Sequence, residues 1–188
     1  MSTPRLRRLQ ADYEQVMKAF TGHPYITVRA SGGNPPTVYH VTYRVPGLRL
    51  GRRGAPEESH RHEVVFQLTA NYPQIKPRCT IKTPIFHPNF RSGVVCIGDH
   101  WAAGGETLVD LIVKVGDMIQ YKEYNIKSPM DAEAARWART NEGRFPIGNL
   151  DLYPEEPQAR AFSQGKDDWE IEFKPASGEA NDFDLIFH

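Results

Sequence analysis

Residues 83–101 read TPIFHPNFRSGVVCIGDHW, a long segment with several Pro and Gly residues that follows neither helical nor strand periodicity. Irregular segments of this length inside a compact domain are usually functional. This one contains a potential nucleophile, Cys96, seven positions after Asn89, whose amide group can donate a hydrogen bond to a developing oxyanion. We therefore take it as the candidate functional segment.

The residues alone leave three other interpretations of Cys96 open. The sequence Val94-Val95-Cys96-Ile97 could form a short apolar strand in which the cysteine is a buried small hydrophobic residue. A Cys–His protease could use His100 or His87 as its base, although the spacing identifies no third residue to orient the histidine. A zinc site would lack C-x-x-C or paired H-x-x-x-H spacing, and its potential ligands are His60, His62, Cys79, His87, Cys96 and His100.

Upstream of this segment, the hydrophobic pattern first predicts a helix. Apolar residues recur at alternating steps of three and four, which places them on one stripe: Leu6, Leu9, Tyr13, Val16 and Phe20. Thr3 can cap the helix, and Pro4 suits its first position. The other side forms either a solvated face or a binding surface, and it carries Arg5, Arg7, Arg8 and Lys18.

Four strands are predicted next, from alternating apolar and polar residues at 25–29, 38–45, 62–70 and 78–82. Cys79 belongs to the inward set of the fourth strand, where we expect it to be inert. The polar stretches 32–36 and 51–59 are interpreted as connectors, so that an antiparallel meander is the economical topology.

Two helices are predicted downstream. The first begins at Thr107, with Asp110 as its capping-box partner, and continues to Gln120, although Gly116 weakens it by up to ~1 kcal/mol relative to Ala. The second runs over residues 131–142, capped by Asp131 and ended by Gly143. The order of elements predicts an α+β fold with an N-terminal helix, a four-stranded antiparallel meander and C-terminal helices.

Net charge, apolar runs and cysteine count argue against several classes of protein. The formal net charge is zero, which argues against a general nucleic-acid binder. No run approaches the ~20 apolar residues that span a bilayer, and residues 1–10 lack a secretory signal pattern, so we expect a cytoplasmic protein. With only two cysteines, Cys79 and Cys96, we expect thiols and no disulfide framework. No metal or cofactor is expected.

Charge is distributed unevenly along the 188 residues. Residues 144–188 contain ten Asp or Glu and four Lys or Arg, whereas residues 1–143 contain thirteen and nineteen. We therefore predict a basic catalytic domain at 1–143 and an acidic C-terminal extension at 144–188. The extension has a strand-like stretch at 169–173 and an apolar, acidic one at 181–187, and it is expected to be either docked or disordered.

A series of short motifs completes the pattern: Tyr72-Pro73, Pro77, His87-Pro88-Asn89, Gly93, Cys96, Trp101, the helix 108–119, Asn125 and Ser128-Pro129. In this order and at near-family spacing, the series resembles the ubiquitin-conjugating enzyme family, over residues 5–143. The stretch 51–59, the sequence Cys-Ile-Gly-Asp-His-Trp and the tail look more like the conjugating enzymes of bacterial ubiquitin-like operons. That resemblance suggests a role in antiphage defence.

The family resemblance implies a two-step acyl transfer. Cys96 would accept a ubiquitin-like protein from an activating enzyme as a thioester, and a lysine amine of a protein target would then take it, with or without a ligase. By the same resemblance, Asn89 stabilises the oxyanion or the loop. Ser128 either guides the amine, with Asp131 as the second candidate, or is only a turn residue before Pro129. His87, Pro88 and Asp131 support the site. The activating enzyme would bind at Arg5, Arg7 and Arg8.

The chain departs from the family pattern at two places. Between Asn89 and Cys96 it is one residue shorter than the usual spacing. After Trp101 the loop reads Ala-Ala-Gly-Gly, where many relatives present Ser-Pro-Ala to their ligases. Ligase recognition is therefore expected to be absent or different. An inactive variant of the same fold that only binds ubiquitin-like proteins is the main alternative to an enzyme.

Overall fold

The first helix, α1, spans Pro4–Phe20 in the computed structural model of the protein, which describes residues 3–98 and 105–154. Thr3 caps it, since its side chain accepts a hydrogen bond from the Leu6 backbone N–H. The predicted stripe is buried at Leu9, Val16 and Phe20, and it packs against the sheet and the second helix. This confirms the predicted start and face of the helix.

The strands after α1 form an antiparallel sheet and a separate hairpin. They are β1 Ile26–Ser31, β2 Val38–Tyr43, β3 Gly47–Leu50, β4 Pro56–Ser59, β5 His62–Gln67, β6 Arg78–Ile81, β7 Phe90–Arg91 and β8 Val94–Val95. The six-stranded sheet at the centre of the fold has the order β1-β2-β5-β6-β8-β7, and its four longer strands are the predicted ones. The two-stranded hairpin pairs β3 with β4.

The hairpin β3–β4 corrects the interpretation of residues 51–59 as a plain connector. Leu48 on β3 is fully buried, and across the hairpin Arg49 forms an ion pair with Glu57 at 2.7 Å. Because β4 carries the polar sequence PEES, it shows no apolar alternation, and periodicity could not detect it.

Helix α2 spans Leu108–Ile119, and helix α3 spans Ala132–Thr140, followed by a short 3-10 turn at Glu142–Arg144. Both halves of the predicted capping box are present between Thr107 and Asp110. Asp131 caps α3, as predicted, but the helix ends earlier, because the Asn141 side chain donates to the Trp137 carbonyl at 2.9 Å. Within the described residues, no helix is long and apolar enough to span a bilayer.

Residues 144–154 pack against α2. Leu152 is fully buried, and the Gln120 side chain forms hydrogen bonds with both the N–H and the carbonyl of Leu150, at 2.8 and 3.1 Å. The first compact unit ends at Pro154. We therefore propose that the catalytic domain extends to that residue. The stretches 169–173 and 181–187 lie outside the described residues.

Candidate active site

A tight hairpin brings Asn89 and Cys96 together. Strands β7 and β8 are joined by Ser92 and Gly93, which both have positive φ (50° and 82°), as a two-residue type I′ turn requires. The Cys96 N–H donates to the Asn89 carbonyl at 2.9 Å, which extends the ladder by one pair beyond Phe90 and Val95. The shortened spacing between Asn89 and Cys96 is therefore accommodated by a two-residue turn.

Cys96 is exposed, and its two neighbours, Val95 and Ile97, are buried. This alternation fixes the backbone on the core while the cysteine side chain points the other way. The interpretation of Cys96 as a buried hydrophobic residue is therefore wrong. Cys79 is 4% exposed, and burial raises the pKa of its thiol to about 12, although nearby Lys76 opposes that shift. The sulfur of Cys96 is therefore open to a reaction partner, whereas burial suppresses ionisation of Cys79.

A cavity of about 610 Å³, which we call the thiol cavity, opens beside Cys96. It brings the cysteine together with two other predicted site residues, Asn89 and Ser128. Its remaining walls come from the end of β8, from α2 and from the loop after α2: Ile97, Gly98, Lys114, Met118, Lys122, Glu123, Tyr124 and Asn125. A volume of this size is typical of ligand pockets.

The amide group of Asn89 connects the hairpin to the loop after α2. Its Nδ2 donates to the Asn125 carbonyl at 3.0 Å, and its Oδ1 accepts from the Asn125 N–H at 2.7 Å. Asn89 is 4% exposed. Because a side-chain amide has two N–H donors, one remains outside this pair of bonds. The Asn89 amide therefore holds the cavity wall in place and keeps one N–H group available for a further hydrogen bond.

Ser128 is held in place by Asn125. The Asn125 Oδ1 accepts hydrogen bonds from the backbone N–H groups of Lys127 and Ser128, at 2.9 and 3.2 Å, an arrangement that fixes the turn before Pro129. Ser128 is exposed at the rim of the thiol cavity. Asn125 was not among the predicted site residues, although an Asn within YNIKSP is a signal for such a turn.

Asp131 and Pro88 fasten the start of α3. The Asp131 carboxylate accepts from the N–H groups of Glu133 and Ala134, both at 2.9 Å, and it does not line the thiol cavity. The Pro88 carbonyl accepts from the N–H groups of Met130 and Asp131, at 2.8 and 3.0 Å. Both residues therefore act on the scaffold around the site.

His87 is fully buried beneath the hairpin. Its Nδ1 accepts from the Asn89 N–H at 3.1 Å, and its ring packs against Phe90 and Tyr121. Burial lowers its pKa to about 3, an effect that the carbonyls of Glu123 and Met118 only partly oppose. The Nδ1 atom is thus engaged, and Nε2 has no hydrogen-bond partner among the described residues but is enclosed in the core. A fully buried ring with so low a pKa is not suited to serve as the base of a Cys–His protease. The other candidate base, His100, lies outside the described residues.

The described residues contain no group of three His, Cys, Asp or Glu side chains that could hold a metal ion. Of the potential zinc ligands, His87 and Cys79 are buried at separate places in the core, and Cys96 lines the thiol cavity.

The sequence matches the model of the family described as "Ubiquitin-conjugating enzyme" over residues 33–147, which is more than half of the chain. The chain belongs to the ubiquitin-conjugating enzyme family. It is also similar to a crystal structure from Plasmodium yoelii, of a protein assigned as a ubiquitin-conjugating enzyme. The TM-score is 0.55 and the identity 20%, over 76% of this chain and 88% of that one. At this identity the likeness shows the fold alone. Among curated proteins, no sequence matches.

In this member of the ubiquitin-conjugating family, part of the basic side of α1 stabilises the fold through hydrogen bonds. Arg8 Nε donates to both carboxylate oxygens of the buried Asp12, at 3.1 and 3.0 Å, and Nη2 donates to the Glu106 carbonyl at 2.8 Å. The Tyr72 hydroxyl donates to the same Asp12 carboxylate at 2.5 Å. Arg5 donates to the Thr69 carbonyl at 3.3 Å, and Arg7 is exposed. Periodicity did not predict that Asp12, on the edge of an apolar stripe, would be buried.

Proposed function

We propose that this protein is a ubiquitin-conjugating transferase, which carries a ubiquitin-like protein, here called the modifier, as a thioester on Cys96. One observation carries the proposal: an exposed cysteine shares a cavity with an amide donor, Asn89, and a hydroxyl group, Ser128. Membership of the ubiquitin-conjugating enzyme family supports it independently.

Loading exchanges one sulfur for another. The Cys96 sulfur attacks the thioester carbonyl at the C-terminus of the modifier on an activating enzyme, and a new C–Sγ bond forms. The C–S bond to the activating enzyme breaks, and the thiol proton goes to the departing thiolate. We propose that the second donor of Asn89 Nδ2 stabilises the oxyanion of this step, while its other bonds hold the cavity wall.

Transfer forms an amide bond. A lysine nitrogen of the target attacks the Cys96 thioester, the C–Sγ bond breaks, and the amine proton goes to the leaving thiolate or to solvent. With a pKa of ~10.4, only about one lysine in 2,500 is deprotonated at pH 7, so the site gains most by desolvating or deprotonating the amine. Ser128, at the cavity rim, is our first candidate to guide it. Asp131 is less suited, because its carboxylate caps α3.

The activating enzyme is proposed to bind the basic side of α1 through Arg7, which is exposed, and through Arg5, which is partly buried and also donates to the Thr69 carbonyl. Arg8 was expected to contribute, but its guanidinium group bonds Asp12 and Glu106. We therefore assign to Arg8 the support of α1 in place of a direct contact. A ligase contact involving residues 102–105 falls almost wholly outside the described residues.

The test is a loading reaction with an activating enzyme, ATP and a ubiquitin-like protein. We expect a band shift that reducing agent removes, that persists in Cys79→Ser and that is lost in Cys96→Ala. Cys96→Ser should give a slow, reductant-resistant oxyester or no product. Cys79→Ser is the matched control, since that thiol is buried.

Two other outcomes would refute the transferase. Binding of the modifier without any covalent product would favour the inactive binding module, and release of the modifier to water without transfer to an amine would favour a hydrolase. The exposure of Cys96 in the thiol cavity favours neither alternative. Loss of loading in a folded Cys79→Ser variant would overturn the assignment of the nucleophile.

A role in bacterial antiphage defence is the finer part of the proposal, and it rests on the resemblance to bacterial operon enzymes. We propose that the gene belongs to such an operon, that a bacterial host with this operon resists phage, and that resistance disappears with Cys96→Ala. Unchanged plaque numbers with this variant would remove that role and leave the transferase untouched.

A further inference from the structure

We infer that Lys114 is a receptor for a carboxylate in the C-terminal segment of the modifier, so that the thiol cavity selects modifiers with an acidic side chain close to their reactive end. This inference rests on the proposed function, because it assumes that the modifier's C-terminal carbonyl is joined to Cys96.

Lys114 is the basic residue of α2, in an otherwise mainly apolar helix with two acidic residues. It is partly buried and lines the thiol cavity together with Cys96. Within residues 3–98 and 105–154 it has no hydrogen bond or ion pair. A cation that is partly withdrawn from water without an ion pair loses hydration, and an incoming carboxylate compensates that loss.

Lys122, in the same cavity, provides an internal comparison. Its Nζ donates to the Leu150 carbonyl at 2.6 Å and forms an ion pair with Asp117 at 3.1 Å. Its charge is therefore already engaged by the protein. Among the described lining residues, the carboxylate is that of Glu123, which is exposed and follows Lys122 in the chain. Of the two lysines among the described lining residues, Lys114 is thus the one whose charge can pair with an external anion.

The modifier's C-terminal segment is the occupant that this cavity fits. Its last carbonyl carbon must be bonded to the Cys96 sulfur, so the residues before it pass through the surrounding cavity of about 610 Å³. The acceptor is a different case, because it presents an amine that Lys114 repels whenever that amine is protonated. An acidic side chain on the modifier is the group that Lys114 attracts.

The experiment uses the full chain and synthetic peptide thioesters as probes. Five-residue alanine peptides end in a glycine thioester of mercaptoethanesulfonate and carry one Asp, one Asn or one Lys at successive positions. The Cys96 sulfur bonds the glycine carbonyl, the carbon–sulfur bond of the probe breaks, and the thiol proton goes to the released thiolate. Intact-mass measurements give the loading rate. All probes share one leaving group, so its charge cancels in every ratio.

We expect, at one or more positions, that the Asp peptide loads about fivefold faster than the Asn peptide, as for a partly exposed charge pair, and that the Lys peptide loads more slowly. Lys114→Gln should remove the difference, Lys114→Arg should keep it, and Lys114→Glu should reverse the order. Addition of 0.5 M salt should shrink it. Lys82→Glu is the matched control, since Lys82 is exposed and does not line the cavity.

A second arm measures loading of the intact modifier by the activating enzyme, with folding of each variant checked by urea denaturation. Here Lys114→Glu should lower kcat/KM several-fold, and Lys114→Arg should retain it. Equal rates for Asp and Asn peptides at every position overturn the inference. So does an Asp preference that survives Lys114→Glu. If the peptides do not load, equal kcat/KM for wild type and Lys114→Glu overturns it. Absence of any loading on Cys96 in both arms instead refutes the proposed function.

Discussion

Asn89 shows how much a single side chain can depend on a distant partner. Both ends of its amide group bond the backbone of Asn125, which lies 36 positions further along the chain. The Asn125 side chain in turn accepts a hydrogen bond from the Ser128 N–H, and both residues line the thiol cavity. Removal of the Asn89 amide is therefore expected to disturb the cavity wall as well as the proposed oxyanion donor.

His87 gives a prediction at the scale of one residue. Its pKa is about 3 in the folded protein, against about 6.5 for an unperturbed histidine, so between these values only the unfolded chain binds the proton. The free energy of unfolding should therefore be fully maintained above about pH 6.5 and fall below it, by up to about 1.4 kcal/mol per pH unit from this group. Burial also lowers the pKa of His62 and His23, which adds to the same trend.

Urea denaturation of His87→Gln at pH 7 and pH 5 tests this. We expect a loss of about 2–4 kcal/mol at pH 7 and a smaller dependence on pH than in the wild type, because the buried ring contacts and the proton-linked group are both removed. His60→Gln is the control, since His60 is exposed and should change stability by less than about 0.5 kcal/mol. Unchanged stability with abolished transfer would contradict a structural role for His87.

At the scale of elements, α2 contains an interior glycine, which helix propensity alone does not explain. Gly→Ala in a helix interior usually stabilises by up to about 1 kcal/mol. At Gly116, however, an added Cβ would lie 2.3 Å from Leu152 Cδ1 and 3.1 Å from Tyr43 Cε1. The absence of a side chain at this position lets β2 and the segment after α3 approach the helix closely.

We therefore predict that Gly116→Ala lowers the free energy of unfolding by about 1–3 kcal/mol, as overpacked cores do. The measurement is urea denaturation of both single variants and the double variant with Leu152→Ala. In the Leu152→Ala background, Gly116→Ala should cost less than it does in the wild type, because the nearest clashing atom is gone. If Gly116→Ala instead stabilises the wild type, Leu152 and Tyr43 can move aside and the predicted overpacking does not occur.

At the scale of the whole molecule, contacts distant in sequence hold the pieces together. The group formed by Arg8, Asp12 and Tyr72 links α1 to the loop after β5 and, through the Glu106 carbonyl, to the start of α2. Residues 144–154 provide a second long-range contact, in which the buried Leu152 packs against α2.

The extent of the catalytic domain gives the prediction at this scale. A chain that ends at residue 154 keeps Leu152 and the bonds of Gln120 to Leu150, whereas a chain that ends at residue 143 loses both. We expect the shorter chain to be less stable by at least about 3 kcal/mol, mainly through the lost burial of Leu152. Chemical denaturation of the two truncated chains is the measurement, and full-length Leu152→Ala should reproduce part of the loss. Equal stability of the two truncated chains would return the boundary to residue 143.

The sequence alone determined the elements whose signals are local. The cap at Thr3, the capping box of Thr107 with Asp110 and the apolar stripes of α1 and α2 depend on residues within one or two helical turns, and the four longer strands depend on alternation. The order of short motifs around His87-Pro88-Asn89 and Cys96 was enough to indicate the family.

Tertiary structure decided what depends on partners far along the chain. Only the fold exposes Cys96 while it buries Cys79, joins Arg8 to the Glu106 carbonyl, and places Lys114 in the cavity of the thiol while Lys122 is paired. The β3–β4 hairpin was also not predicted from the sequence, because the polar strand β4 is stabilised by its pairing with β3 and has no apolar alternation of its own. Periodicity reports which side of an element is apolar. Burial, pairing and cavity shape depend on which other element arrives at that side.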